Sequence, residues 1–477
     1  MLFNSIEFVA FLPIVYALYW LITNKKLSTQ NVLLLLASYF FYSCWDWRFV
    51  FLLMFSTFLD YFSGIQIDKE KNPLKRKIWL FVCIGINLGF LGVFKYYNFF
   101  IDNFVHLLNT VGIQANLTSL QVILPVGISF YTFHGLSYVI DIYKRRIPSE
   151  KNFVQYALFV SYFPLLVAGP IERATHLLPQ IKKPRIFSRA QSVDGLKQIL
   201  WGFFKKVVIA DNCATYVNQI FDNSADYNGS TLFLGAILFA FQIYGDFSGY
   251  SDIATGTSKL FGIELLKNFN YPYFSRNISE FWRRWHISLS SWFRDYLYIP
   301  LGGSKGGTLM KVRNTFIIFI VSGFWHGANW TFIVWGALNA LLMMPSVILG
   351  TNRNHLDIVA KGKIWPTLRD ALSVFLTFIL TTFVWIFFRA KDIHHALSYI
   401  AGIFSENFFT NPRLIKGNIL ILIIFFMIVE WFGRENDFAI DKLFLQKKWI
   451  RYTFYYLLII LIFWFGTDKQ QFIYFQF

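Results

Sequence analysis

Two histidines forty residues apart carry the chemistry that this sequence offers most plainly. His286 ends the run Phe281-Trp-Arg-Arg-Trp-His286, and His326 lies in Phe324-Trp-His326-Gly-Ala-Asn-Trp330. An imidazole titrates near neutrality, so it can take a proton from a hydroxyl and return it to a leaving group. His326 falls within an apolar run, where a polar side chain faces a bundle interior or a water-filled path. Its competing reading is a histidine that only hydrogen-bonds neighbouring helices. His134, in another apolar run, is open to the same two readings. No His-x3-His, Cys-x2-Cys or His/carboxylate spacing accompanies the histidines, so no metal site is expected.

Charges and hydroxyls gather around these positions. Arg283, Arg284 and Arg294 have the geometry to bind an anion through charge-assisted bonds, and equally to anchor an interfacial helix. Asp295 beside Arg294 reads as an internal ion pair. Pro300 to Gly307, with Lys305 among four glycines, is a loop whose backbone can approach a ligand, although it lacks the spacing of a phosphate-binding loop. Tyr244-Gly-Asp246-Phe-Ser248-Gly-Tyr-Ser-Asp252 closes a long apolar run with two carboxylates. They can orient a histidine or hold a helix break, and Gly245 and Gly249 favour the break. The closing Phe472-Ile-Tyr474-Phe-Gln-Phe477 offers a tyrosine that reads first as an interfacial belt residue.

The elements that must position these groups are membrane helices. Hydrophobic residues make up 56% of the chain and charged ones only 15%, against roughly a quarter in soluble domains. Apolar runs near 8–22, 31–45, 49–65, 78–97, 122–140, 196–210, 231–254, 315–349, 369–390, 417–433 and 452–466 predict an all-α polytopic membrane protein of about eleven spans. The run 315–349 is too long for one upright helix, so it bends or crosses twice. Residues 258–313 are the longest polar interruption, and 278–298 within it reads as one amphipathic helix at the interface. A single domain, 1–477, is expected.

The net charge of +17 does not point to nucleic acid, because the basic residues sit in joints between spans. They follow the positive-inside rule instead, which puts 69–77, 144–146, 173–197, 283–294 and 442–451 in the cytoplasm. The stretches 98–121 and 211–229 contain no Lys or Arg and are expected outside. Parity then places both the N-terminus and the tail 467–477 on the extracytoplasmic side. The apolar segment 153–171 lies between two basic joints, so it should dip into the membrane and return at Pro164 and Gly169-Pro170. The first span has no basic n-region or cleavage site and is read as retained. Cys44, Cys83 and Cys213 are too scattered for a disulfide framework.

Taken together, these segments resemble the membrane-bound O-acyltransferase family, and within it the bacterial branch that acetylates alginate. The resemblance rests on the Met-Leu-Phe-Asn-Ser opening, Leu124 to Phe130 with Tyr138-Val-Ile-Asp141, Phe163 to Glu172, Tyr244 to Asp252, Phe281 to Gly303, Phe324 to Asn329 and the closing aromatic tail. It implies a bacterial inner-membrane enzyme with helices around a central tunnel. His326 would catalyse transfer, with His286 close by on the cytoplasmic side and Tyr474 as an acyl carrier at the outer mouth. Asp246, Ser248, Asp252, Asn329, Trp285, Trp325 and His134 are expected to line or support the tunnel. His134 departs from the uncharged residue of many relatives, which leaves the tunnel's polarity open.

The implied donor is acetyl-CoA, met by Arg283, Arg284, Arg294 or Lys305, with no tightly bound cofactor. The implied acceptor is an extracytoplasmic polysaccharide such as alginate, reached through an SGNH-hydrolase-like partner. Peptidoglycan O-acetylation and D-alanyl transfer to teichoic acid are alternatives within the same chemistry. A secondary transporter is the non-enzyme alternative, since intramembrane His, Asp and Arg also line proton-coupled pathways.

Overall fold

The computed structural model describes residues 1–23, 26–114, 119–120, 123–167, 169–413, 417–442, 447–466, 470 and 472–473. Tyr474 lies outside them. Among the described residues the regular structure is helical throughout, with no strand. That is the expected solution where lipid offers no partner for backbone N–H and C=O groups. The chain divides into two compact units: Met1–Ser192 with Ser258–Leu266, and Val193–Thr257 with Lys267–Phe477.

The first unit contains α1 (Ile6–Ile22), α2 (Leu27–Ser43), α3 (Arg48–Lys69), α4 (Pro73–Leu91), α5 (Tyr97–Thr110), α6 (Ile128–Tyr143), α7 (Phe153–Ser161), α8 (Phe163–Leu166) and α9 (Ala174–Ile181). Starts follow local chemistry. The Ser5 hydroxyl accepts from the Phe8 N–H ahead of α1, and Asn72 accepts from Leu74 and Lys75 with Pro73 in the first turn of α4. One π-helical turn, Gly92–Tyr96, joins α4 to α5, so the helix runs on to Thr110. Residues 98–110 of the expected outward stretch are therefore helix, because absence of Lys and Arg marks a side of the membrane and not a loop. The run 122–140 becomes helical only at Ile128, after Pro125 and a left-handed Gly127. Nearly all of α6 is buried in protein. Within 153–171, α7 and α8 break at Tyr162 and are buried almost throughout.

The second unit contains α10 (Arg189–Phe203), whose first turn belongs to the first unit, then α11 (Asp211–Asp222), α12 (Gly229–Leu260), α13 (Ile278–Arg284), α14 (Ile287–Phe293), α15 (Gly307–His326), α16 (Trp330–Ile348), α17 (Leu368–Arg389), α18 (Ile393–Ile403), α19 (Gly417–Gly433) and α20 (Lys448–Trp464). A π-helical turn, Phe204–Ala210, links α10 to α11. The run 315–349 is two helices, α15 and α16, broken at Gly327–Asn329 immediately after His326. Their closeness needs glycine: a Cβ on Gly323 would sit 2.1 Å from the Phe332 carbonyl oxygen, and one on Gly336 2.2 Å from that of Phe319.

Two expectations fail here. The helix α12 runs unbroken past Gly245 and Gly249, so the glycines make room instead of a break: a Cβ on Gly249 would lie 2.8 Å from the Gly202 carbonyl oxygen on α10. The amphipathic helix 278–298 is two short helices, α13 and α14, interrupted at Trp285–His286 and followed by a π-helical turn at Arg294–Tyr298.

Among the described residues, five helical stretches are long and apolar enough to cross a membrane by themselves: Arg48–Lys69, Pro73–Thr110, Gly229–Leu260, Trp330–Ile348 and Leu368–Arg389. Shorter apolar helices such as Ile6–Ile22 and Gly417–Gly433 add to them. Only 22% of the Pro73–Thr110 window is buried against 83% of Gly229–Leu260, so the former offers its surface to lipid while α12 is a protein-lined axis.

Candidate active site

Both histidines belong to the second unit and enter one aromatic cluster. His326 is the last residue of α15, 4% exposed, with its ring centroid 4.9 Å from Trp325 and 5.2 Å from both Trp335 and Phe388. The His286 ring lies 6.2 Å from the ring of Trp325 and 4.6 Å edge-on from Phe247. Trp325 is thus a ring neighbour of both imidazoles. Trp285 closes the cluster from below, 5.1 Å from Phe269 and 4.9 Å from Trp385. So dense an aromatic wall excludes water and leaves proton transfer to the few polar atoms inside it.

His286 is held in an uncommon way. Its backbone is left-handed, φ 43° and ψ 53°, a conformation that costs a residue with a side chain of the order of 1–3 kcal/mol and persists only where surroundings impose it. Asn268 imposes it. The Asn268 carbonyl accepts from the Ile287 N–H at 2.9 Å, and its side-chain oxygen meets His286 Nδ1 at 3.0 Å while accepting from the Ser288 hydroxyl at 2.9 Å. The Asn268 amide nitrogen donates to Ser251 Oγ at 3.1 Å, which fixes the amide so that its oxygen faces the ring. His286 Nδ1 must then carry the proton. Nε2 is left as a buried lone pair, with no hydrogen-bond partner among the described residues. Asn268 lies outside every motif read from the sequence; only its place between two aromatic stretches hinted at it.

Asn329, predicted to support a tunnel, caps α16: its side chain accepts from the Thr331 N–H and donates to the Lys391 carbonyl. It therefore fixes the break that ends α15 at His326. Asp246 and Asp252 each hold a buried lysine. Lys206 Nζ lies 2.7 Å from Asp246 and 2.8 Å from Asp211, and Lys205 Nζ lies 2.5 Å from Asp252. The π-helical turn allows the consecutive Lys205 and Lys206 to meet carboxylates six residues apart on α12. Ser248 is buried without a hydrogen-bond partner among the described residues.

The arginines divide. Arg284 is 7% exposed and committed to Glu280, with further bonds to the carbonyls of Asn270 and Asp357. Arg276 also pairs with Glu280 and Asp357, and holds the Asp357 carboxyl below its usual range. Arg283 donates to the carbonyls of Asn352, Asn354 and His355. These two predicted donor ligands fasten α13 to the loop 352–357. Arg294 pairs with Asp295 on the surface, as expected, and Lys305 is exposed. In the loop before α15, Arg313 and Asn314 take the Leu301 and Gly303 carbonyls.

His134 belongs to the first unit. Its Nε2 accepts from the Glu172 N–H at 3.1 Å, and the Glu172 carboxylate holds His176 at 2.8 Å and the Leu266 N–H at 2.6 Å. The Nε2 contact fixes the return of the chain after α8, while His134 Nδ1 is buried with no hydrogen-bond partner among the described residues.

Comparisons with known proteins address this arrangement. Residues 143–388, which include both histidines, match the model of MBOAT, the membrane-bound O-acyltransferase family. A probable alginate O-acetylase, AlgI, of Pseudomonas aeruginosa is 37% identical over 91% of this chain and 81% of its own. The chain belongs to the membrane-bound O-acyltransferase family. A Helicobacter pylori peptidoglycan O-acetyltransferase is 34% identical over 100% of this chain and 98% of its own. A Bacillus subtilis teichoic acid D-alanyltransferase is 28% identical over 57% and 70%. As a membrane-bound O-acyltransferase the protein is a polytopic membrane enzyme that transfers acyl groups.

Proposed function

We propose that the protein takes an acetyl group from a cytoplasmic thioester, most simply acetyl-CoA, and delivers it for O-acetylation of an extracytoplasmic polysaccharide of the alginate kind. The observation that carries this reading is that His286 and His326 both pack against Trp325 inside one buried aromatic cluster. The alginate and peptidoglycan O-acetylating relatives, each matched over nine tenths of the chain or more, favour acetyl over the D-alanyl transfer of the teichoic acid relative, and the slightly higher identity of the alginate O-acetylases favours an exopolysaccharide acceptor.

In the first step His326 acts as general base on an acceptor hydroxyl. The hydroxyl oxygen attacks the thioester carbonyl carbon, a C–O bond forms, the C–S bond breaks, and the proton held by the imidazole passes to the departing sulfur. The acceptor is the phenol of Tyr474, giving an acetyl ester on the tail. In the second step an extracytoplasmic, SGNH-hydrolase-like partner brings a polysaccharide hydroxyl to that ester, and the proton returns to the phenol oxygen. The donor's phosphates fall to Arg294 and Lys305, the two predicted cations that remain exposed.

Vesicles containing the purified protein, given radiolabelled acetyl-CoA on one face, test this directly. Thioester cleavage with label recovered on protein is expected, and His326→Ala should reduce it at least a hundredfold at unchanged protein abundance. Undiminished cleavage in that variant would end the catalytic role of His326. Retention of label on the Tyr474→Phe protein would move the acceptor elsewhere.

A further inference from the structure

The closing segment of the chain enters the interior of the second unit. Phe472 and Ile473 have no exposed surface. The Ile473 N–H donates to Asp246 Oδ2 at 2.7 Å, and Lys206, paired to the other oxygen of that carboxylate, reaches the Gln470 carbonyl at 3.5 Å. The Phe472 ring packs 4.3 Å from Tyr250 and 6.3 Å from Phe247, the residue whose far edge meets His286.

A buried lysine with two carboxylates, Asp246 and Asp211, leaves one acidic charge to be compensated. A backbone N–H aimed at a carboxylate does this by a charge-assisted bond, and a carbonyl aimed at the ammonium complements it. The pair therefore reads main chain, one donor and one acceptor three residues apart, while Tyr250 and Phe247 read the aromatic side chain between them. Such a seat sets register: a shift of the tail by one residue would leave the Asp246 oxygen without its donor and withdraw Phe472 from its ring partners.

We infer that Asp246 and Lys206 are positioning residues that seat the tail's backbone at Gln470 and Ile473 and so hold the Phe472 ring one aromatic ring, that of Phe247, from His286. The consequence for acyl transfer rests on the relay through Tyr474, which is covalently joined to this seat at Ile473. The seat itself is tested without that relay.

Hydrogen exchange of the full chain in lipid nanodiscs, followed by mass spectrometry of the tail peptide, reads seating. Slow exchange at residues 472–473 is expected. Exchange should accelerate at least tenfold in Ile473→Pro, which removes the donor, and in Asp246→Ala, while Asp246→Asn, which keeps an acceptor, should restore part of the protection. The melting temperature of Ile473→Pro should match that of the unaltered protein, which separates positioning from a structural role. Free exchange of the tail in the unaltered protein, or protection that survives Ile473→Pro and Asp246→Ala, would overturn the seat. Acetylation of Tyr474, measured on the same peptide after thioester addition, should fall at least tenfold in the unseated variants. A protected tail that never becomes acetylated would sink the relay and leave the seat standing; an unprotected tail that is acetylated would do the reverse.

Discussion

Asn268 shows how much of a proton-transfer group is decided by a neighbour. With its oxygen on His286 Nδ1, the imidazole is held as the tautomer that presents Nε2. Asn268→Ala should reduce acetyl transfer about ten- to a hundredfold, since both ring orientation and tautomer are lost. Asn268→Asp keeps the acceptor but sets a carboxylate against the ring, which favours the imidazolium form. The rising limb of the pH–rate profile should therefore move to higher pH, with activity recovering in base; an unmoved limb would show that His286 does not titrate in the rate-determining step. His176 supplies a second titration, outside the spans. The bond to Glu172 raises its pKa above 6.5, burial opposing in part. The stability it contributes is fully present below pH 6.5 and disappears as pH rises through the raised value. His176→Gln should accordingly lower the melting temperature at pH 5.5 more than at pH 8.5, and an equal loss at both would deny the pair a charged role.

Among the elements, the α15–α16 hairpin determines where His326 stands. Its helices meet through Gly323 and Gly336, at which any side-chain carbon would collide with backbone of the opposite helix. Backbone cannot swing aside as a side-chain tip does, so Gly323→Ala should destabilise the protein by about 1–3 kcal/mol and impair transfer along with it. Gly89 in α4 is a matched control, with nothing within 4 Å of the position its Cβ would take. Gly89→Ala should be neutral or stabilising by up to about 1 kcal/mol. Thermal unfolding in detergent compares the two; equal responses would remove close helix packing as the cause.

For the whole molecule, we propose the orientation given by the charge asymmetry of its joints, with the Lys69–Lys77 joint inside and the preceding turn outside. The native cysteines make a test without new ones. Cys44 is exposed near that preceding turn, whereas Cys83 and Cys213 are buried. A membrane-impermeant thiol reagent should label intact spheroplasts at Cys44, and Cys44→Ser should abolish the signal. Labelling that requires permeabilisation would invert the proposed topology, the termini included.

The sequence by itself determined the helical, membrane-embedded architecture, because lipid imposes long apolar runs and makes every intramembrane polar residue conspicuous. The bend within 315–349, as one of two readings, and the chain break within 153–171 were legible on those grounds. Tertiary structure alone decided what the polar groups hold. Asn268 meets His286 across 18 residues and Asp246 meets Ile473 across 227, contacts that no periodicity encodes. Gly245 and Gly249 misled for the same reason: glycine signals either a break or a close approach, and only the helix packed against it distinguishes them. Arg284 looked like an anion ligand until its carboxylate, Glu280, was seen one turn away and wholly buried with it. The energy of a buried charge is set by its partners in space, and the chain's order along one dimension does not name them.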